Sequence, residues 1–116
     1  MIKFYNDNGD VATANGRVKI IPILRGYTTT TSTNGVMKRS YVRNVNKYEV
    51  TIDRMVLSDY NILKLMFLQD LHFKDIDRNI EDGNLFIDGT EFSLEEVENK
   101  IDNTFYYTGT FTLIKS

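Results

Sequence analysis

YVRNVNKYEVTIDRMVLSDYNILKLMFLQDL, residues 41–71, is the stretch from which the fold can be inferred. In its first half, Tyr48, Val50 and Ile52 share one side of an extended chain, and polar or charged residues share the other side. A period of two is typical of a strand with one buried and one solvated face. Ser58 then predicts the start of a helix, because a serine side chain can accept a hydrogen bond from a first-turn amide.

The predicted helix, residues 57–71, is apolar around almost its whole circumference, with Asn61 and Lys64 as its main polar residues. A helix that is apolar all round is buried on more than one side. A sheet built from a chain of 116 residues covers only part of such a helix. We therefore expect the uncovered part, including Leu65 and Leu68, to contact another copy or another protein.

A long hairpin is predicted on the N-terminal side of this helix. Residues 17–26 form a strand that contains the single proline, Pro22, and a proline places its strand at an edge or a bulge. The return strand ends near residue 55, which gives a projecting hairpin over about residues 17–55 with a mobile tip near 28–35. Isolated two-stranded hairpins are marginally stable in water, so we expect this one to become ordered on a neighbour; a disordered surface loop is the alternative.

The part of the chain after the helix predicts further short strands. Residues 72–83 are polar and predict a turn, and the dipeptide at 88–89, Asp-Gly, predicts a two-residue hairpin turn. The capping-box spacing of Ser93 and Glu96 predicts a short helix over residues 94–100, with a strand as the alternative.

The last strand, residues 104–115, alternates apolar and threonine-rich positions. Gly109 interrupts its apolar face, which indicates a bulge or a close crossing by another backbone. Together these elements predict one domain, residues 1–116, with an α+β fold. It is a mainly antiparallel β-sandwich or barrel of about six or seven short strands with one principal helix and the protruding hairpin.

The composition excludes several classes of site. There is no cysteine and one histidine, so thiolate metal sites, disulfides and two-histidine metal sites within one chain are excluded. Residues 75–84 begin like a calcium loop, but Ile80 stands where glycine is needed and Phe86 where glutamate is needed. Asp75 and Asp77 could form a catalytic pair, but no second cluster supports them. We predict no metal site, no cofactor and no enzymatic activity.

Targeting features point to an intracellular protein without a membrane partner. No apolar run approaches the ~20 residues that span a bilayer. The first ten residues, MIKFYNDNGD, become polar after the fifth residue and lack the apolar core of a secretion signal.

Charge is distributed unevenly along the chain. Residues 11–48 contain no Asp or Glu, whereas residues 49–116 contain 14 acidic and six basic residues. The basic residues of the first segment are Arg17, Lys19, Arg25, Lys38, Arg39, Arg43 and Lys47. A basic arm and an acidic body on one chain are complementary between copies, which favours a head-to-tail contact. Such a heterologous contact closes into a ring or continues as a helical stack.

This interpretation predicts an interface made by the arm, the helix and the acidic loop 75–82. The acids of that loop are the expected partners of the basic arm, and the arm is expected to add to a neighbour as a strand. The residues predicted to lie in the interface are Lys38, Arg39, Tyr41, Arg43, Lys47, Leu65, Leu68, Asp75 and Asp77.

The order of these elements resembles the small virion proteins of tailed bacteriophages, closest to tube, terminator and distal-tail ring proteins. The resemblance lies in the polar-tipped hairpin, the strand YEVTIDRM, the helix LSDYNILKLMFLQ and the final strand YYTGTFTLIK. It implies an antiparallel sandwich or barrel packed on a helix, with hairpins extending onto neighbouring subunits. It also implies a structural subunit of a ring or tube in a phage tail or neck. The expected partners are other copies and other virion proteins, and the expected location is the virion, after assembly in the host cytoplasm.

A nucleic-acid-binding accessory protein is the alternative function. The basic residues of segment 36–47 interleave with Tyr41, and Tyr48 follows, a pattern that suits a groove with stacking rings. Against it, Tyr48 belongs to the predicted buried face, the net charge of the chain is −2, and no nucleic-acid-binding signature is present.

Overall fold

The structure, a computed structural model, describes residues 1–25, 28–31, 37–40 and 43–115, and it describes side chains for residues 1–23 and 45–115. The elements in this described part are β1 (Ile2–Tyr5), β2 (Val11–Arg25), β3 (Thr28–Thr31), β4 (Met37–Ser40), β5 (Arg43–Met55), α1 (Leu57–Leu65), β6 (Leu71–Asp75), β7 (Ile80–Ile87), β8 (Glu95–Asn99) and β9 (Thr104–Lys115).

Six of the described strands close into a barrel. The hydrogen-bonded order is β5–β2–β1–β6–β7–β9, and β9 pairs again with β5. All of these pairings are antiparallel. Closure removes the unpaired edges that an open sheet would present to other chains. The predicted α+β fold, a mainly antiparallel sandwich or barrel with one helix, is confirmed, and the closed pairing makes it a barrel.

The barrel interior is filled by alternate residues of its strands. On β6, Leu71 and Phe73 are fully buried, and the residues that follow each of them are partly exposed. On β5, Tyr48, Val50 and Ile52 are buried, as the period of two predicted. The ring of Tyr48 packs edge-on against the ring of Phe73, with 4.8 Å between centroids. The inward face of the 41–71 stretch therefore supplies one wall of the core.

β2 and β5 are longer than the barrel and leave it as a two-stranded ribbon. The pairing of β5 with β9 stops at Tyr48, but the pairing of β5 with β2 continues to Arg25, which lies opposite Arg43. β3 and β4 continue the same register. Thr28, three residues after Arg25, lies opposite Ser40, three residues before Arg43. The predicted hairpin over about residues 17–55 is confirmed.

The ribbon makes the molecule elongated. Its principal extents are 70 × 30 × 29 Å and its radius of gyration is 18.0 Å, against about 13 Å for a compact domain of this length. Residues 21–25 and 28–31, at about 3.3 Å per residue, account for roughly 30 Å of that length. Within the predicted tip, Thr28–Thr31 form β3, and residues 32–35 lie outside the described residues.

α1 packs across the barrel through a narrow stripe. Tyr60 and Leu63 are its buried residues, and Met66, just beyond its end, is fully buried. Asp59 in the first turn accepts a hydrogen bond from the backbone amide of Thr13, at 3.3 Å, which ties the helix to β2. The helix is therefore covered on one side by its own barrel.

The helix is shorter than the predicted range of 57–71, which was wrong at its C-terminal end. α1 ends at Leu65, and Leu71 already begins β6, fully buried opposite Leu85 of β7. Burial of Leu71 in the barrel requires the chain to leave the helical path before it. The predicted serine cap was also wrong, because Ser58 lies inside the first turn and the helix has no side-chain cap.

Two predictions for the segments after the helix were wrong. Residues 72–83, predicted as a turn, contain most of β6 and the start of β7, joined by a turn at residues 76–79. The predicted hairpin at residues 88–89 is absent, since β7 ends at Ile87 and the amide of Asp88 bonds to the carbonyl of Thr112 at 2.8 Å. Pairing with β9 thus replaces the local turn.

Residues 94–100 are not a helix; the strand alternative is correct, because Glu95–Asn99 form β8 on the first half of β9. Gly109 of β9 is crossed closely, as predicted: a Cβ built there would lie 2.9 Å from Cδ2 and 3.8 Å from Cα of Leu94. The adjacent register of β5 and β9 shifts between Ile52 and Met55, so a bulge lies opposite this crossing.

Leu63→Ala and Leu65→Ala form a matched pair of substitutions that tests how α1 is covered. Leu63 is fully buried, whereas Leu65 is 68% exposed. We expect Leu63→Ala to lower the free energy of unfolding by about 2–5 kcal/mol and Leu65→Ala by less than about 0.5 kcal/mol. Urea titration of dilute protein measures both. Equal losses would mean that both sides of the helix are covered within one chain.

Candidate interaction surfaces

The ribbon carries positive charge that its own register does not neutralise. Arg25 lies directly opposite Arg43, and Lys47 lies opposite Ile21. The nearest acidic neighbour across the strands is Glu49, opposite Lys19, at the root of the ribbon. Like charges directly opposite each other destabilise an antiparallel pair. The outer part of the ribbon is therefore suited to meet an acidic surface.

The outer edge of β2 is protected against further pairing. The guanidinium of Arg78 donates a hydrogen bond to the carbonyl oxygen of Val18 at 2.9 Å, so the backbone groups of Val18 are directed to the unpaired side. Residues an even number apart on a strand are directed to the same side, so Pro22 lies at a position whose missing N–H would also have pointed outward. Both features prevent continuous pairing along this edge.

A basic groove lies beside the protected edge. Its volume is about 680 Å³, and its lining includes Arg17, Lys19 and Arg78, with Glu49 as its one acid. The groove is formed because the turn between β6 and β7 approaches β2 beyond the end of β1. An acidic chain or a phosphate is the kind of ligand that this lining favours.

The outer edge of β5 is open. Beyond Tyr48, residues 43–47 pair with β2 on one side and have no strand partner on the other side within the described part of the chain. A groove of about 370 Å³ lies next to this edge, lined by Val45, Asn46, Asp82 and Lys115. The edge contains no proline, so its backbone groups are available for pairing.

A polar cluster holds the root of the ribbon. The hydroxyl of Tyr48 donates to one carboxylate oxygen of Asp82 at 2.5 Å, and the ammonium of Lys115 donates to the other at 2.6 Å. Lys115 also donates to the carbonyl of Gly83 at 2.7 Å. The cluster joins β5, β7 and β9 at the point where the ribbon leaves the barrel.

The same cluster shifts two pKa values. Burial, together with the hydrogen bond to Asp82, raises the pKa of Tyr48 to about 12. Burial opposes ionisation of Asp82, but hydrogen bonds from Lys115, Tyr48 and the Gly83 amide outweigh it and lower the pKa of this carboxyl below its usual value. The charged form of Asp82 is therefore the form that the folded protein favours.

The end of α1 exposes apolar side chains. Leu65 and Leu68 are 68% and 89% exposed, at the positions predicted to lie in an interface. A groove of about 410 Å³ borders Leu68, and its lining includes Phe67 and Phe86 beside the polar residues Gln69 and Asp70. We call the apolar side chains of this region the helix-end surface: Leu65, Phe67, Leu68 and Phe86.

One acid of the predicted partner loop, 75–82, is turned inward. Asp75 is 2% exposed and accepts a hydrogen bond from the backbone amide of Arg78. A buried carboxylate cannot meet a basic arm of another copy, so the assignment of Asp75 to the interface was wrong. Asp77 is exposed in the turn and forms an ion pair with the amino group of Met1.

The structure places the predicted basic residues on the ribbon strands. Lys38 and Arg39 lie in β4, and Arg43 and Lys47 lie in the open part of β5. Tyr41 lies outside the described residues.

β8 is an acidic strand that sequence reasoning missed. Glu95 and Glu98 are exposed on it, and they make no ion pair among the residues that the structure describes. The preferred sequence reading put these acids on a helix. The one sequence signal for a strand was Val97, an apolar residue with polar residues on both sides. One such alternation is too short to distinguish a strand from a helix.

Other classes of site find no support in the described part of the chain. It holds no cluster of three acidic or histidine side chains that could bind a metal ion. None of its helices has the length and apolar character that a bilayer crossing requires. Comparison of the chain with protein-family models, curated proteins and solved structures gave no match.

The Asp82 cluster predicts acid sensitivity of the folded state. Because the folded-state pKa of Asp82 is lowered, its stabilising contribution is fully present above the ordinary value of 3.8, and it is lost as the pH falls below that value and through the lower pKa of the folded state. We expect Asp82→Asn to be less stable than the wild type at neutral pH and to lose less stability on acidification to about pH 3. Urea midpoints across this range measure both effects. Asp53→Asn, which removes an exposed carboxylate from β5, should follow the wild-type curve; a wild-type slope in Asp82→Asn would contradict the cluster.

Proposed function

We propose that this chain is a structural subunit that assembles with copies of itself into a ring or tube, in the tail or neck of a tailed bacteriophage. The observation that carries the proposal is the basic ribbon. Its described residues extend from the barrel by roughly 30 Å, in a molecule 70 Å long and about 30 Å wide. A globular protein that acts alone does not need a projecting ribbon of this kind.

The energetics of the ribbon favour contact with a neighbour. A two-stranded ribbon without a covering layer is marginally stable in water. This one has basic residues at paired backbone positions, Arg25 and Arg43. An acidic partner strand would add a third strand of opposite charge. Assembly therefore stabilises the part of the chain that is weakest in the isolated subunit.

The helix-end surface supplies a second contact of different chemistry. Leu65 and Leu68 together expose apolar area, and Leu68 borders a groove of mixed polar and apolar lining. Burying one leucine side chain contributes about 1.5–3 kcal/mol. The ribbon and the helix-end surface are two different patches of one chain. When a patch of one copy binds a different patch of the next copy, the same contact repeats from copy to copy. Repetition of a heterologous contact produces rings or stacked tubes.

The assignment to a phage tail or neck rests on the resemblance in the order of elements. The barrel with one helix and a projecting hairpin is the arrangement that the resemblance implies. Light-scattering mass of the purified chain over a dilution series tests the subunit proposal directly. A mass that exceeds one chain and rises with concentration supports it, and a single-chain mass at every concentration contradicts it.

Leu65→Asp combined with Leu68→Asp tests the helix-end surface. Both positions are exposed, so we expect the variant to keep the circular dichroism spectrum and melting behaviour of the wild type while its light-scattering mass falls to that of one chain. Asn61→Asp, which puts a charge on an exposed position of the same helix, should still assemble. Unfolding of the double variant would mean that this surface is internal and that the contact is assigned to the wrong residues.

A nucleic-acid-binding accessory protein is the second candidate, favoured by the basic groove of Arg17, Lys19 and Arg78. It lacks a stacking ring among the described residues of the arm, because Tyr48 is buried and holds Asp82. If it were correct, binding to a labelled oligonucleotide would weaken steeply with salt through release of condensed counterions, and the bound protein would have the mass of one or two chains. We expect instead weak oligonucleotide binding and self-assembly without nucleic acid.

A further inference from the structure

β8 has an unpaired edge that is protected only by charge. It pairs with β9 over its whole length, from Glu95 opposite Thr108 to Asn99 opposite Thr104, without a bulge. Its other side has no strand partner in the described part of the chain. Natural edge strands are usually protected by charged side chains, proline, a bulge or a covering element. β8 has no proline and no bulge, and its glutamates are the charged side chains.

The charge of this edge decides what can pair with it. Glu95 and Glu98 are exposed, whereas Glu96 accepts a hydrogen bond from the hydroxyl of Tyr107 at 2.8 Å. A second β8 would bring glutamates against glutamates, and like charges at this distance oppose association. A basic strand would match them. The edge therefore excludes itself and selects a positive partner.

The open part of β5 matches β8 in length and charge. It comprises residues 43–47, and β8 comprises residues 95–99, so both segments are five residues long. Arg43 and Lys47 lie at the two ends of the open segment. The groove beside Val45 gives an incoming strand space of about 370 Å³. The edge of β2, in contrast, is blocked at two positions.

We propose that β8 of one copy pairs with the open edge of β5, residues 43–47, of a second copy. The inference rests on the proposed function and names its acceptor, replacing the acidic loop 75–82. An antiparallel register with Val45 opposite Val97 brings the two valines together. The same register puts Lys47 opposite Glu95 and Asn44 opposite Glu98, so charge and apolar contact agree in one alignment.

Apolar side chains are exposed beside β8. Phe105, opposite Glu98 on β9, is 49% exposed, and Ile101 in the β8–β9 connection is 96% exposed. Both lie next to the edge that the proposed contact would cover. Because the two edges are different, the contact is heterologous and repeats from copy to copy.

Engineered disulfides test this register, since the chain has no cysteine of its own. Purified Lys47→Cys and Glu95→Cys proteins, one carrying a tag that changes its mass, are mixed and oxidised. Directly opposite residues on antiparallel strands have Cβ atoms close enough to be bridged, so we expect the mixed dimer to be the main product on a non-reducing gel. Lys47→Cys mixed with Asp77→Cys is the control, because Asp77 is an exposed acid of the turn that sequence reasoning favoured. Equal yields of mixed dimer in the two mixtures would overturn the proposed acceptor.

Charge exchange tests the same contact without cross-linking. Glu95→Lys with Glu98→Lys should reduce the light-scattering mass to one chain while the circular dichroism spectrum stays that of the wild type. Mixing that variant with Arg43→Glu/Lys47→Glu protein should restore a larger species, because the matched signs are exchanged. The control, Asp88→Lys with Glu91→Lys, makes the same change of charge at exposed positions outside β8 and should assemble.

The outcomes separate this inference from the subunit proposal. If the wild type assembles and the Glu95/Glu98 variant assembles equally well, the β8 acceptor is wrong and the subunit proposal stands. If the wild type has the mass of one chain at every concentration, the subunit proposal fails and the β8 contact fails with it. Restored assembly on mixing supports both.

Discussion

Closure of the barrel by β5 and β9 is the constraint on which the rest of the molecule depends. The pairing of β5 with β9 begins at Tyr48 and continues toward Met55. The residues of β5 before Tyr48 therefore have a strand partner only in β2. β2 follows β5 outward for the same length, and the two continue as a ribbon. The Tyr48–Asp82–Lys115 cluster lies where the pairing of β5 with β9 ends. The closed core, the ribbon and the open edge of β5 therefore all follow from one fact: β5 and β2 extend beyond the part of β5 that pairs with β9.

The unpaired strand edges in the described part of the chain are protected in different ways, and the edges of β5 and β8 are protected by charge alone. The β2 edge is occupied by Arg78 at Val18 and interrupted by Pro22. The β5 edge and the β8 edge are free, one basic and one acidic. An edge protected only by charge repels copies of itself and remains open to the opposite sign. The partition of charge along the chain thus has a structural counterpart at two specific edges, which is what a repeating heterologous assembly needs.

The sequence predicted elements correctly where a residue pattern was long. It predicted them incorrectly where contacts with residues distant in the chain determine the structure. The alternation of Tyr48, Val50 and Ile52, and that of β9, located two barrel strands because a period of two over many residues matches the geometry of a strand and no helix. The helix was extended to Leu71 because its apolar run continues, but Leu71 is needed opposite Leu85 in the barrel. Glu95–Asn99 looked like a capped helix because capping signals are local. Asp75 looked exposed because a polar segment gives no sign of which acid is turned inward.

By itself the amino-acid sequence determined the class of fold, the long hairpin, the segregation of charge and the presence of apolar helix surface that a small sheet cannot cover. These are properties of composition and periodicity, and they do not depend on which strands meet. The tertiary structure alone decided that the strands close into a barrel, that the helix ends at Leu65, and that β5 and β8 carry the open edges. Those outcomes depend on pairing between strands far apart in the chain, where the burial of one residue selects the partner of another.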